Sequence, residues 1–258
     1  MTQLYLIRHG QAFCNVENLI AGMGSDVGLT PVGVAQAKRL RDRLSATGEI
    51  EADVLIASTL PRARQTAEII APAFNLPVLL DDDAQELRVG DADGLTWEQY
   101  IEKYGPPPDF REEPYRPLFI GGENWGEFVL RVGTTIDRIV REHEGQSIVL
   151  VCHGGFIDTS FLVNLGMNTL ALPQAQFHTR NTSITHWERL RYGSELRWRL
   201  VRYNDDLHTR DIETDERIVW ARFAPEPPAG SDSPTVPPPL EGEPTGDDVD
   251  VDAQAAAE

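Results

Sequence analysis

Cysteine is scarce in this chain. Its 258 residues hold only Cys14 and Cys152, and neither has a Cys-x-x-Cys partner, which leaves zinc and redox motifs with little support. A reduced cytoplasmic setting is the expectation, with a disulfide between the two left open. Long apolar runs are also missing. None approaches the roughly 20 residues that span a bilayer, which argues against a membrane role. No charged-then-apolar leader precedes the first apolar run, so export is not expected. Positive charge is in short supply, with 23 Lys and Arg against 41 Asp and Glu and a net charge of −18. Nucleic-acid backbones demand clustered cations, so nucleic acid is not expected as a partner.

Half of that negative charge lies after Phe223, where nine acids and no Lys or Arg occur among Pro, Gly and Ala. Such a segment buries too little apolar surface to offset its ordering entropy. Residues 224–258 therefore read as a disordered, acidic, Pro-rich tail that solubilises or docks, and residues 1–223 as one folded domain.

Within residues 1–223, strand and helix patterns alternate. Short apolar runs at Leu4–Ile7, Val54–Ala57, Val78–Leu80 and Ser147–Cys152 read as buried strands. Thr30-Pro31 and Ser58-Thr59-Leu60-Pro61 read as helix starts, and Gly48 as a helix end. A helix is expected from Thr96 to about Tyr104. Another is expected from Glu123 to His143, interrupted by Gly126 and Gly133, and a third from Gly155 to Leu165. Residues 105–122 read as loop, and Ile184–Leu190 with Glu195–Tyr203 as a closing hairpin. The alternation implies an α/β fold: a three-layer α/β/α sandwich with a mainly parallel central sheet and helices on both faces.

Two of the strands end in histidine, giving Arg8-His9-Gly10 and His153-Gly154-Gly155. Ligands of open α/β sheets sit outside the carboxyl ends of the strands. Arginine offers a planar fork of donors suited to phosphate or carboxylate, and histidine can serve as nucleophile, base or donor. The pair therefore suggests a site that grips an anion and acts on it. Each residue also has an ordinary reading. Arg62, one residue inside a helix, would normally face solvent. Glu86 comes after a run of surface acids, Asp81 to Asp83, and His153 could be a satisfied core histidine. His143, His178, His186 and His208 have no ligand spacing, and Asn181-Thr182-Ser183 is read as a chance glycosylation match.

Taken in order, the motifs form a set. They are Arg8-His9-Gly10, Asn15, Gly22, Asp26, Leu29-Thr30-Pro31-Val32-Gly33, Ser58-Thr59-Leu60-Pro61-Arg62-Ala63-Arg64-Gln65-Thr66-Ala67, Glu86-Leu87-Arg88-Val89-Gly90-Asp91, Gly122-Glu123-Asn124 and His153-Gly154-Gly155. This set resembles the histidine phosphatase superfamily, also called the phosphoglycerate mutase-like family. The resemblance implies that His9 is the nucleophile and carries a phosphohistidine, and that Arg8, Arg62 and His153 surround the phosphate oxygens. Asn15 would help from the first loop, with Gly154 allowing close backbone approach. Glu86 would act first as general acid and then as base. His9, Glu86 and His153 are thus the expected catalytic residues, and Arg8, Asn15, Arg62 and Gly154 the phosphate-binding ones. No clustered carboxylates or histidines suggest a metal, and no cofactor is expected. The resemblance also makes Asn204–His208 a conformational feature beside the site.

The chain departs from the family pattern at Ala12, which lacks a hydroxyl, and at Cys14, which lacks an aromatic wall. Both changes are expected to alter leaving-group recognition or rate, and Cys14 is a candidate for oxidation. The segment Gly105–Gly122 is short where mutases carry a long basic insertion, which favours a phosphatase. Arg111 and Arg116 within it could read an acidic leaving group or be solvated charge. The expected function is metal-independent hydrolysis of a small phosphorylated metabolite. A phosphoglycerate mutase and a non-catalytic phospholigand-binding protein are the alternatives. The oligomeric state stays open, a homodimer included.

Overall fold

The computed structural model describes residues 1–170 and 177–212. The expected tail at 224–258, with its boundary at Phe223, lies outside the described residues.

The first strand, β1 (Thr2–Arg8), is fully buried at Leu4, Leu6 and Ile7, as a strand covered on both faces must be. A one-turn helix, α1 (Phe13–Val16), and a two-residue strand, β2 (Leu19–Ile20), come after it. Helix α2 (Pro31–Thr47) begins where its residues dictate. The Thr30 side chain accepts the Gly33 N–H, Pro31 supplies a preset φ, and Gly48 ends the helix at φ 60°. Next come β3 (Val54–Ser58), α3 (Pro61–Ile70) and β4 (Val78–Asp81). After a loop with two 3-10 turns, β5 (Leu95–Thr96) leads into α4 (Trp97–Tyr104). The chain then forms α5 (Trp125–Glu142), β6 (Ser147–Cys152), α6 (Gly154–Asn164), β7 (Ile184–Tyr192) and β8 (Glu195–Asp205). Among the described residues no helix is long and apolar enough to cross a membrane.

The central sheet runs β4-β3-β6-β1-β7-β8. Strands β4, β3, β6 and β1 pair in parallel, and β7 and β8 close the sheet antiparallel. Side chains of a strand alternate between faces. Tyr5, Ile7, Leu55, Ala57, Val149 and Val151 meet Leu40, Leu44, Ala63, Ala67 and Ile70 of α2 and α3 in one core. Leu4, Leu6, Ile56, Ile148 and Leu150 point the other way, toward the layer in which α5 and α6 pack together. The expected three layers are there.

Two details differ from the sequence reading. Helix α5 is continuous through Gly126 and Gly133, where an interruption was expected. Each glycine costs about 1 kcal/mol of helix propensity. The buried face of Trp125, Phe128, Val129, Val132, Ile136, Ile139 and Val140 stabilises the helix by about 1.5–3 kcal/mol per large side chain, so packing wins. Its start also moves to Trp125, because Asn124 caps it through a reciprocal pair of hydrogen bonds with Glu127. The second difference is a small ladder between β2 and β5, pairing Leu19 with Thr96 and Ile20 with Leu95. Strands of two residues leave no periodic signal to read.

Sheet register positions the site. Arg8 of β1 lies opposite Cys152 of β6, so His9 and His153, the next residues of two adjacent parallel strands, emerge side by side. Ala57 of β3 lies opposite Val151, which sets Ser58 beside the end of β6 on its other flank.

Candidate active site

The His9 and His153 rings lie 5.2 Å apart, centroid to centroid, and both are buried. His9 Nδ1 lies 2.7 Å from the Gly10 carbonyl, which can only accept, so Nδ1 carries the proton and Nε2 keeps its lone pair. That lone pair accepts from Arg62 Nε at 3.2 Å. The His9 loop is pinned from several sides. Gly10 N–H donates to Thr66 Oγ1, Gln11 N–H to Gln36 Oε1, and Asn181 Nδ2 to the His9 carbonyl. The first turn of α2 lies against the same loop. A Cβ on Gly33 would fall 2.0 Å from the Gln11 carbonyl oxygen, so only glycine fits there.

Arg62 points inward and is 4% exposed, contrary to the ordinary behaviour of an arginine at a helix start. Asp26 explains this. Its Oδ2 accepts from Arg62 Nη1 at 2.8 Å and from the Arg62 backbone N–H at 3.2 Å, and its Oδ1 accepts the Gly28 N–H at 2.9 Å. The pair is buried and orients the guanidinium across His9.

Arg8 Nη1 donates to the Thr179 carbonyl, and its Nε lies close to Gly154 at the start of α6. His153 Nε2 meets Ser58 Oγ at 2.8 Å. Its Nδ1 is buried with no partner among the described residues. Buried polar atoms are rarely left unpaired, so this nitrogen is suited to a bound ligand.

Glu86 faces the same helix start. Its Oε2 accepts the Gly155 N–H at 2.8 Å, and its Oε1 accepts its neighbour Leu87 N–H at 3.2 Å. A Cβ on Gly155 would fall 2.5 Å from Glu86 Oε1, so the second glycine of His-Gly-Gly makes room for the carboxylate. The Glu86 loop hangs from Arg131 of α5. Arg131 Nη1 donates to the Asp83 and Gln85 carbonyls, each at 2.8 Å, and Nη2 to the Glu86 carbonyl at 3.1 Å. Glu123 pairs with Arg131 in turn.

Electrostatics are set by this packing. Burial first, then Arg62 and Arg8, hold His9 well below the usual histidine range. Burial first, then Arg62 and His9, do the same to His153. Both rings are therefore neutral at pH 7. Burial pushes the Cys14 thiol up, so it lacks the low-pKa character of an oxidation-prone cysteine. Cys14 and Cys152 are both free.

The structure thus brings Arg8, His9, Arg62, Glu86, His153 and Gly154 to one end of the sheet. Asn15 stands in the adjoining one-turn helix α1, where its Oδ1 accepts the Ala12 N–H at 2.9 Å. Arg111 and Arg116 are exposed and pair locally with Asp109 and Glu113, which matches solvated charge. Asn181 is 2% exposed and hydrogen-bonded, so its glycosylation match is indeed fortuitous. His208 Nε2 meets Thr182 Oγ1 at 3.0 Å, and Asn204 Oδ1 accepts the Arg180 N–H at 2.7 Å. The Asn204–His208 stretch therefore braces the 180–183 turn, whose Thr182 N–H donates to the Arg8 carbonyl. Sequence reasoning gave no role to Asp26, Ser58, Thr66, Arg131 or Asn181. Asp26, Ser58 and Thr66 stood in the motif set without a role, and Arg131 left a signal as an arginine three residues from Phe128 and four from Thr135 on the buried face of α5. Among the described residues no group of three His, Cys, Asp or Glu converges as a metal site.

Comparison with known proteins gives a family and a fold. The family described as histidine phosphatase superfamily (branch 1) matches residues 4–206. Phosphoserine phosphatase 1 of Hydrogenobacter thermophilus is 31% identical over 194 residues, covering 74% of this chain and 89% of that protein. A 2,3-bisphosphoglycerate-dependent phosphoglycerate mutase of Methylobacterium is 30% identical, covering 68% of this chain and 86% of that protein. Among solved structures, a phosphoserine phosphatase from Entamoeba histolytica in complex with phosphoserine aligns with a TM-score of 0.64. It is 27% identical, with 81% of this chain and 99% of that one covered. A mycobacterial glucosyl-3-phosphoglycerate phosphatase complexed with VO3 aligns with a TM-score of 0.63 at 26% identity, covering 79% of this chain and 98% of that one.

Proposed function

Because the chain belongs to the histidine phosphatase superfamily, we propose that it hydrolyses small phosphomonoesters through a phosphohistidine on His9, without a metal. One observation carries the reading: the neutral His9 ring, with its proton fixed on Nδ1 toward Gly10 and its Nε2 lone pair turned to Arg62. A neutral imidazole is a competent nucleophile at neutral pH, and two steps lower each barrier.

In the first step His9 Nε2 forms a bond to phosphorus as the bond to the leaving oxygen breaks. Glu86, as a carboxylic acid, gives its proton to that oxygen. In the second step the Glu86 carboxylate takes a proton from water, the water oxygen bonds to phosphorus, and the N–P bond breaks to release phosphate. A loose phosphoryl transition state needs positioning and charge more than covalent help. The fixed guanidiniums of Arg8 and Arg62 provide that charge, and the Arg62 Nε–H passes from His9 to a phosphate oxygen. With the Ser58 hydroxyl donating to Nε2, His153 holds its proton on Nδ1 and offers it to another oxygen. Gly154 N–H at the start of α6 and the Asn15 amide complete the cradle. Asp26 and Arg131 act at one remove, by holding Arg62 and Glu86.

Hydrolysis is favoured over phosphoryl return to a sugar acid because Arg111 and Arg116, in the short segment replacing a basic insertion, are paired locally. The two free thiols fit a reduced, cytoplasmic setting. The test is phosphate release from a phosphomonoester panel headed by phosphoserine and phosphoglycerates, with and without chelator. Wild-type protein is expected to add one phosphoryl group in rapid-quench intact-mass spectra and to be indifferent to chelator. His9→Ala is expected to lose both the adduct and the turnover. Full turnover by His9→Ala overturns the mechanism, and isomerised phosphoglycerate without phosphate release overturns the hydrolase reading.

A further inference from the structure

Helix α6 brings a second carboxyl group to the site. Asp158 is half-buried one turn beyond Gly154, and its Oδ1 accepts the Thr179 hydroxyl at 2.9 Å. Thr179 is 4% exposed, and its carbonyl is the acceptor for Arg8 Nη1. Carboxyl, threonine and guanidinium therefore form one chain of hydrogen bonds, from α6 through the 177–183 loop to the end of β1. Among the described residues, the charged or titratable groups that face Asp158 are Arg8 from β1, Glu86 from the loop after β4 and Tyr203 from β8.

We propose that Asp158 is a positioning residue of the phosphate site, holding Arg8 through Thr179 and taking up a proton when a phosphate dianion binds. The proposal rests on the reading of Arg8 as a phosphate ligand. A guanidinium on a long stem needs one N–H anchored before the rest of its fork can meet an anion without further entropy loss. A loop carbonyl is only as fixed as its own residue. The Thr179 hydroxyl is tied to the helix whose first turn holds Gly154 and receives Glu86, so the anchor and the rest of the site move as one.

The charge argument has a definite sign. Burial pushes the Asp158 carboxyl up to about 7. Glu86 pushes the same way, and the Thr179 bond and Arg8 oppose. A bound dianion adds negative charge beside Arg8 and raises it further. Binding then takes up a proton, so affinity for a dianion falls as pH rises above neutrality, by at most about tenfold per pH unit.

Tungstate, a dianion across this range, is the probe, measured as a competitive inhibitor from pH 6 to 9 beside KM and kcat for p-nitrophenyl phosphate. In the wild type its inhibition constant is expected to rise above pH 7. In Asp158→Asn, which keeps an acceptor for Thr179 and cannot ionise, the constant is expected to stay flat near the wild-type low-pH value. Thr179→Val is expected to raise the inhibition constant and KM about tenfold with a smaller change in kcat, and Thr179→Ser to restore both. Asp158→Asn is nearly isosteric, so its pH profile decides the matter even where Thr179→Val folds poorly. A pH dependence unchanged in Asp158→Asn, or wild-type constants in folded Thr179→Val, overturns the proposal. If His9→Ala is inactive in the same assays, such a result overturns this inference alone and leaves the reaction assigned to His9 intact.

Discussion

Asp26→Asn is the sharpest probe of how the site is held. The native carboxylate accepts three hydrogen bonds, from Gly28 N–H on one oxygen and from the Arg62 backbone and guanidinium on the other. Asparagine has one oxygen and one NH2. Whichever way it turns, a donor faces a donor, and at least one buried N–H loses its partner at about 1–3 kcal/mol. Arg62 also loses its counter-charge in a pair whose side chains are 5% and 1% exposed. Outright removal of one member of such a pair costs about 3–5 kcal/mol, so the retained acceptor sets the expectation at about 2–4 kcal/mol. In a domain of this size each kcal/mol moves the melting temperature by about 2–4 °C, giving a fall of about 4–16 °C. The released guanidinium no longer lies fixed across His9, and kcat/KM is expected to fall about 100-fold. Circular-dichroism melting and p-nitrophenyl phosphate turnover read the two effects. The double variant with Arg62→Gln should cost less than the sum of the singles, because the two residues act as a unit. An Asp26→Asn protein that melts with the wild type and turns over at the wild-type rate would refute the reasoning.

Three further outcomes rest on the same geometry. Gly155→Ala sets a methyl group 2.5 Å from Glu86 Oε1, so kcat should fall about 10²–10⁴-fold with the fold retained; unchanged kcat in a steady-state assay counts against Glu86 as the proton carrier. Arg131→Met removes the donors that hold the Asp83, Gln85 and Glu86 carbonyls and leaves the partly buried Glu123 without its cation. Urea unfolding should show a loss of about 3–5 kcal/mol, with kcat falling more than KM rises; a purely thermal effect on folded protein would separate Arg131 from the Glu86 loop. Burial, then Arg43, lowers His208 from 6.5 to about 4, so the unfolded chain binds a proton that the folded one refuses. Its stabilising share is complete above about pH 6.5 and is lost as pH falls toward 4, about 3 kcal/mol in all; His208→Asn should flatten that part of the urea-stability profile.

The strands that end in the candidate site residues were legible because buried parallel strands are short apolar runs, and the residue after such a run stands at the sheet's carboxyl edge. The positions of His9 and His153 needed no more than that, whereas Arg62, inside α3 beyond the end of β3, was placed by the family resemblance. Their supports were not legible, because each works across a long separation. Asp26 reaches Arg62, Arg131 reaches the Glu86 loop, and Asn181 reaches the His9 carbonyl. Periodicity describes an element's own faces and carries no information about which distant carbonyl a side chain will meet. The continuity of α5 was not legible for a related reason: propensity is local, whereas the apolar face that overrides Gly126 and Gly133 gains its energy from packing on distant elements such as α6.

The place of β1 in the sheet bears on how the protein is made. Strand β1 sits between β6 and β7, so it is synthesised well before both of its partners. Loop-closure entropy must be met before such distant pairings reward it. His9 therefore emerges ahead of the strands that flank it, and the β1–β7 pairing can form only after the chain has been extended past residue 184. A nascent chain truncated after α6 should bind no oxyanion. A strand left waiting in this way exposes apolar surface that a chaperone can shelter.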